Sequence, residues 1–320
     1  MEVDISVIIP AYNAEKTIEK CIESVLVQTG CSYEMIIVND GSTDRTPEII
    51  EQYKKQYDNI VYISQENKGP AIARNVALDK VSGKHILFLD SDDFLTADAF
   101  EIMKKYLGKD ISMYSFIHFK DNEIVSSNIW ADSGEYSFDE LFSNYGNLER
   151  LNATVVRLFK TELQQKYQLF YNTESQYSED TQFNYAYYKY CKEIVVEPAV
   201  AYCVEVTENS LSRQFYGGKA EEMKVCYSLA KQFLKSNVAL GNTFIKLYKN
   251  FALDEIGAGV SKSKFISLTK DFHTVANTSL QSSGSCHNQM LAWLFNNKKY
   301  GLLYWMMLLN FRLVYKMNRE

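Results

Sequence analysis

Over its first hundred residues the chain alternates short β-branched runs with stretches of helical spacing. Ile5-Ser6-Val7-Ile8-Ile9 is an apolar run that Pro10 stops. Across residues 14–28, Ile18, Cys21, Ile22, Val25 and Leu26 recur at helical spacing. Residues 34–38 read as a second strand. A helix then starts at Ser42 or Thr46, with Pro47 suited to its first turn. A third strand at 59–63, a helix at 70–80 and a fourth strand at 85–89 complete the series. Strands alternating with helices predict an α/β fold, a mostly parallel sheet with helices on both faces. In such sheets ligands bind beyond the carboxyl ends of the strands. That rule selects four segments for one rim: Pro10-Ala11-Tyr12-Asn13, Asn39-Asp40-Gly41-Ser42, Glu66-Asn67-Lys68-Gly69 and Asp90-Ser91-Asp92-Asp93.

The middle of the chain is mixed. Residues 111–120 read as a strand with 124–129 as its hairpin partner, 138–142 as the start of a helix, 155–159 as a strand and 161–167 as a helix. After Glu179-Asp180 an aromatic-rich helix is expected at 183–190, then a strand at 193–196. From about Lys219 the pattern is helical throughout, at 220–235, 241–253 and 291–316. The expected domains are therefore 1–215, divided near 95, and a helical region at 216–320.

Composition narrows the function. With 46% hydrophobic and 23% charged residues, the chain is long enough for a full core and a second, smaller unit. A net charge of -6 argues against general nucleic-acid binding, although a local basic patch stands near the C-terminus. The six cysteines form no CxxC pair and no metal-ligand spacing with the four histidines. They read as small buried hydrophobes in a reducing compartment. The chain enters a strand almost at once, and no stretch reaches the roughly 20 apolar residues of a membrane span. The expected setting is therefore the cytoplasm. Neither GxGxxG nor GxxxxGK[ST] occurs, so neither a Rossmann dinucleotide site nor a P-loop is indicated.

The Asp90-Ser91-Asp92-Asp93 cluster has two readings. Asp is a favoured turn and N-cap residue, so the cluster could be a solvated cap for a helix starting near Thr96. Alternatively, carboxylates crowded at a strand end repel one another until a cation or a set of donors satisfies them. Mg2+ and Mn2+ suit such a site, binding through one or two carboxylates plus substrate phosphates.

The runs Ser6-Val7-Ile8-Ile9-Pro10-Ala11-Tyr12-Asn13, Val38-Asn39-Asp40-Gly41-Ser42-Thr43-Asp44, Asn67-Lys68-Gly69-Pro70-Ala71-Ile72-Ala73-Arg74-Asn75 and Phe88-Leu89-Asp90-Ser91-Asp92-Asp93, in this order, closely resemble the inverting glycosyltransferases of family 2. The resemblance covers about residues 4–213 and is densest over 4–95. It implies a GT-A fold, with a Rossmann-like nucleotide-sugar half and an acceptor half, and a metal-dependent inverting transfer of sugar. The donor it implies is a nucleotide sugar, a UDP-sugar foremost. The acceptor is a glycan or lipid-linked hydroxyl in cell-surface polysaccharide synthesis, and the cofactor is Mn2+ or Mg2+.

Carried over residue by residue, Pro10, Ala11, Tyr12 and Asn13 would border the base, although Tyr12 could merely pack on the sheet end and Asn13 could cap the first helix. Asp40 would accept from the base, with Gly41, Ser42, Asn67 and Gly69 lining the nucleotide. Arg74 would sit near the diphosphate or pair with an aspartate, while Lys68 reads as a diphosphate contact or a solvated loop charge. Asp90 and Asp92 would form the DxD motif around Ser91, with Asp92 the direct metal ligand and Asp90 nearer the ribose or the waters of the metal. Asp93 would touch donor sugar or acceptor, or hold the turn. Ser178-Glu179-Asp180 resembles the family's ED motif, with Asp180 as base unless it only caps the following helix, and Glu179 beside the acceptor. Arg213 could reach the diphosphate. The chain departs from many relatives in lacking a Trp before the run ending Arg157-Leu158-Phe159-Lys160. Two competing functions are a catalytically inert nucleotide-sugar-binding or scaffold protein and a nucleotidyltransferase. The first would be expected to lose its carboxylates, and the second lacks a Gly-rich, Lys/Arg-bearing triphosphate loop.

The last segment sets Trp293, Phe295, Tyr300, Leu302, Leu303, Tyr304, Trp305, Met306 and Met307 among Lys298, Lys299, Arg312, Lys316 and Arg319. Residues 291–319 suit an interfacial helix on the inner face of the cell membrane, on an anionic leaflet. They suit equally a core helix or a contact between copies of the chain.

Overall fold

The computed structural model describes residues 2–121, 123–144, 149–175, 177–206, 219–276 and 286–317. The chain divides into two compact units that interleave in sequence. One comprises Met1–Tyr136, Ala153–Glu174 and Tyr190–Glu208, and the other Ser137–Asn152, Ser175–Lys189 and Asn209–Glu320. This replaces a single boundary near 215: two internal segments, including the one that carries Asp180, cluster with the C-terminal helices.

The first unit opens with β1 (Ile5–Ala11), α1 (Ile18–Leu26), β2 (Tyr33–Asp40), α2 (Thr46–Gln56), β3 (Ile60–Gln65), α3 (Pro70–Leu78) and β4 (His85–Phe88). These strands pair in parallel in the order β3-β2-β1-β4, as the alternation predicts. Both faces of β1 are buried: Val7 and Ile9 join Ile18, Ile22 and Val25 of α1, while Ile8 on the other face is equally inaccessible. Such two-sided burial is why the strand reads as a continuous apolar run rather than an alternation.

Next come β5 (Phe94–Leu95), α4 (Ala99–Lys104), β6 (Ile111–Lys120), β7 (Glu123–Asn128) and β8 (Gly134–Glu135). The second unit then begins with α5 (Phe138–Asn144) and α6 (Glu149–Asn152), before β9 (Arg157–Lys160) and α7 (Thr161–Tyr167) return to the sheet unit. After α8 (Glu179–Tyr188) of the second unit comes β10 (Ile194–Glu205) of the first. Strand β9 runs antiparallel between β4 and β6, and the sheet continues through β10 to β5. Strand β10 extends well past the expected 193–196. Pro198 suggests a stop there, but the sheet absorbs it at register shifts between Glu197 and Tyr202.

The second unit continues with α9 (Ala220–Phe233), α10 (Asn237–Gly257), α11 (Lys262–Ala276), α12 (Cys286–Asn296) and α13 (Tyr300–Met317). An aromatic cluster ties α5, α8 and α9: the Phe138 and Tyr188 rings stack at 4.2 Å, and Phe233 meets Phe138, Phe142, Tyr185 and Tyr188 edge-on. The single helix expected at 291–316 is two helices, because Lys298 takes a left-handed φ of 55° and turns the chain between them. Helix α8 begins at Glu179, not 183, so both carboxylates of the ED pair lie in its first turn, where they favour the helix dipole.

Candidate active site

The carboxyl ends of the four parallel strands carry the four predicted segments; hydrogen bonds join the first three in turn, and the helix that follows the third reaches the fourth. Asn13 follows β1 with a left-handed φ of 48°. Its backbone N–H donates to Ser42 Oγ at 3.0 Å, and its Oδ1 accepts from the Thr43 N–H at 2.8 Å. It therefore bridges the first two loops and does not cap α1, whose N-cap position is Thr17. The second loop is fixed to the third by Asp40, which is buried. Its Oδ1 accepts from Gln65 Nε2 at 2.7 Å and from the Lys68 N–H at 2.9 Å, and its Oδ2 from the Gly69 N–H at 2.8 Å. A carboxylate has about four acceptor positions, so three are spent on holding the loop. Between these loops Gly41 is required twice over: its φ is +71°, and a Cβ there would lie 2.6 Å from the Asn67 backbone nitrogen.

Arg74, buried on α3, completes the chain of links. One guanidinium nitrogen donates to Asp90 Oδ1 at 2.8 Å, and the group lies 5.3 Å over the Tyr171 ring. Tyr171 is itself fixed by a two-way exchange with the Asn75 side chain, at 2.8 and 2.9 Å. Arg74 thus takes its structural alternative, pairing with an aspartate. Pro10 is half-buried and Ala11 fully buried, so Ala11 offers the rim backbone only. Tyr12 is half-exposed just past the end of β1. Asn67 and Lys68 are exposed, while Ser42, Gly69 and Ser91 are partly buried.

Asp90, Asp92 and Asp93 precede the short strand β5, not a helix, so the helix-capping reading does not hold: α4 starts at Ala99. The three carboxylates differ sharply in environment. Asp90 has Arg74. Asp93 is buried, and its oxygens accept from the Tyr202 hydroxyl at 2.7 Å and the Glu205 N–H at 2.9 Å, so it holds the turn. Burial, reinforced by the Asp90 and Asp92 charges, pushes the Asp93 carboxyl well above the usual range. The same surroundings push up the Cys21 thiol and the Tyr202 phenol. Asp92 stands exposed at the rim and, among the described residues, has no ion pair and no hydrogen bond to another residue. Loss of hydration among the loops, together with the Asp90 charge, raises its carboxyl too. Among the described residues the one guanidinium paired with this cluster goes to Asp90, which leaves the Asp92 charge uncompensated at the exposed rim. That environment fits a hard divalent cation. Among the described residues no three His, Cys, Asp or Glu side chains group as a metal cage, so the remaining ligands would have to come from elsewhere.

In the second unit, Glu179 and Asp180 are partly buried in the first turn of α8, with Ser178 at the N-cap position. Asp180 is therefore not the cap. A residue that the sequence left unread supports this turn. Glu222 of α9 accepts, through one carboxylate oxygen, from Ser175 Oγ at 2.8 Å, the Tyr177 N–H at 3.1 Å and Ser178 Oγ at 2.7 Å. Gln182 Nε2 donates to both serines. Arg213 lies outside the described residues. Tyr202 and Glu222 carry no motif signal. Tyr202 stands beyond the apparent stop at Pro198, and Glu222 looks like an ordinary first-turn acid.

Two outcomes follow. Gly41→Ala should lose about 1–3 kcal/mol in urea unfolding, because the left-handed φ and the Asn67 contact both oppose a side chain. Glu222→Ala should cost about 1–3 kcal/mol by orphaning its donors. It should also speed amide exchange over residues 177–182 while leaving the rim around Asp40 unchanged.

A sequence model described as Glycosyl transferase family 2 matches residues 6–164, about half the chain. The putative teichuronic acid biosynthesis glycosyltransferase TuaG of Bacillus subtilis is 43% identical over 114 residues, 35% of this chain and 45% of TuaG. The poly(ribitol-phosphate) beta-glucosyltransferase of Bacillus spizizenii is 30% identical over 203 residues, 60% of this chain and 30% of that protein. The chain spans less than half the length of these curated relatives. Among solved structures, S. aureus TarS 1–349 in complex with UDP superposes with a TM-score of 0.75 at 19% identity, covering 97% of this chain and 91% of that one. The complex of the same protein with UDP-GlcNAc gives 0.71, also at 19% identity, covering 97% and 92%. The likeness carries the GT-A fold along nearly the whole chain, the C-terminal helices included. With four ordered motifs on one rim and the family match over the same stretch, the chain belongs to glycosyl transferase family 2.

Proposed function

We propose that the chain is a metal-dependent, inverting glycosyltransferase that moves a sugar from a UDP-sugar to a hydroxyl of a glycan or lipid-linked acceptor in cell-surface polysaccharide synthesis. The observation that carries this reading is Asp92: an exposed, crowded carboxylate with no partner among the described residues, on a rim whose loops are tied by hydrogen bonds. Support for the donor and pathway comes from TarS, whose structures hold UDP and UDP-GlcNAc, and from relatives named for teichuronic acid and poly(ribitol-phosphate) synthesis.

On this reading the half-exposed Tyr12 ring stacks the base. The remaining acceptor position of Asp40 receives a ring N–H of the base, which suits uracil. Asp92, with Asp90 beside it, would hold Mn2+ or Mg2+, which when bound stabilises the negative charge developing on the leaving diphosphate. Arg74 orients Asp90 through their ion pair at 2.8 Å. Asp180 acts as general base. As the acceptor oxygen bonds to the anomeric carbon, its proton passes to the Asp180 carboxylate, and the bond from that carbon to the phosphate oxygen breaks. A single displacement from the face opposite the leaving group inverts the anomeric centre.

A panel of nucleotide sugars scored by thermal stabilisation tests the donor. Ligand at about 100 times its Kd should add about 2.7 kcal/mol to the folded state, and a UDP-sugar should stand above GDP-, CMP- and dTDP-sugars. Equal shifts across the panel would remove the uracil assignment. Asp180→Asn should lower transfer by about 100-fold or more while leaving UDP binding within about twofold; unchanged turnover would take the base role away from it.

A further inference from the structure

The helical unit leaves an apolar face uncovered on its last two helices. On α13, Leu303 and Met307 are fully buried, whereas Leu302, Trp305 and Leu309 are 58%, 50% and 60% exposed. These three recur at intervals of three and four, so they share one side of the helix, and exposed Arg312 continues the stripe. Helix α12 follows the same plan. Leu291, Leu294 and Phe295 are buried, while Met290 and Trp293 are 55% and 56% exposed. A lone exposed apolar residue is ordinary, but five large ones on consecutive helices, two of them Trp, mark an interaction surface.

Within α12, α13 and the turn between them the charge is of one sign. Lys298 and Lys299 are exposed in the turn between the helices, and Lys262 of α11 places its Nζ 5.1 Å over the Trp305 ring. Residues 286–317 contain Lys298, Lys299, Arg312 and Lys316 and no Asp or Glu. A two-fold contact with a second copy would set these cations against their own equivalents. No described helix is long and apolar enough to cross a membrane. A surface with apolar depth and an anionic exterior satisfies both the tryptophans and the lysines.

We propose that the exposed face of α12 and α13 docks on the surface of an anionic lipid bilayer. Trp293, Trp305 and the leucines enter the headgroup boundary, and Lys262, Lys298, Lys299 and Arg312 meet lipid phosphates. This rests on the helical unit alone and not on the glycosyl-transfer reading.

Flotation of the chain with vesicles tests it. The protein should float with an equal mixture of phosphatidylglycerol and phosphatidylcholine in about 0.1 M salt, release at about 0.5 M, and stay behind with phosphatidylcholine alone. Trp305→Ser with Leu309→Ser should weaken vesicle binding about tenfold, and Lys298→Glu with Lys299→Glu by about fivefold or more per charge. Both pairs are exposed, so the thermal midpoint should hold and any stabilisation by UDP should persist. That second readout separates failure here from failure of the donor reading. Absence of wild-type flotation on anionic vesicles, or undiminished flotation of both variants, would overturn the proposal. A dimer seen by light scattering that Trp305→Ser dissociates, without vesicle binding, would assign the face to a second copy instead.

Discussion

The sheet unit is organised around a charge problem at the end of β4. Asp90, Asp92 and Asp93 stand within four positions of one another; the Asp90 charge raises the cost of ionising Asp92 and Asp93, and the Asp92 charge that of Asp93. The fold answers two of the three. Arg74 reaches from α3 to Asp90, and β10 brings Tyr202 and the Glu205 N–H to Asp93. Both answers depend on the sheet: α3 packs on β1 and β2, and β10 lies beyond the antiparallel β9 that turns a parallel sheet into a mixed one. What is left is the exposed Asp92 carboxylate, which no described residue offsets. A folded protein tolerates such a group where a ligand brings the compensating charge.

The same economy governs the neighbouring loops. Asn13 and Asp40 are polar residues of the kind that ligands use, yet much of their hydrogen-bonding capacity goes into tying one loop to the next. A rim fixed in this way offers Tyr12 and Asp92 in set positions before any ligand arrives, so less ordering remains to oppose binding.

The parallel half of the sheet was legible because its strands are buried on both faces and its helices carry strong periodicity. The rim followed from topology alone, since parallel neighbours end on one side. Roles within the rim were less legible. No pattern distinguishes an Asp90 that pairs with Arg74 from an Asp92 that pairs with no described residue; that difference arises from residues distant in sequence. Tyr202 stayed unread because Pro198 imitates a strand end, and the break at Lys298 because a left-handed lysine has no sequence signature. The domain division was hidden for a related reason. The segments around α5 and α8 pack through Phe138, Phe142, Tyr185 and Tyr188 onto Phe233, a contact no local window contains. Hence the turn that leads into Asp180 is held by Glu222 of a helix some forty residues later.

On this reading the carboxylate left over at β4 takes the cation that accompanies a nucleotide. Calorimetric titration of UDP into the wild type and into Asp92→Asn, each with and without Mn2+, tests it most directly. The account predicts that Mn2+ tightens UDP binding about tenfold or more in the wild type and that Asp92→Asn removes this gain while keeping the weaker, cation-free binding. Equal enhancement by Mn2+ in both proteins, or none in either, would contradict it.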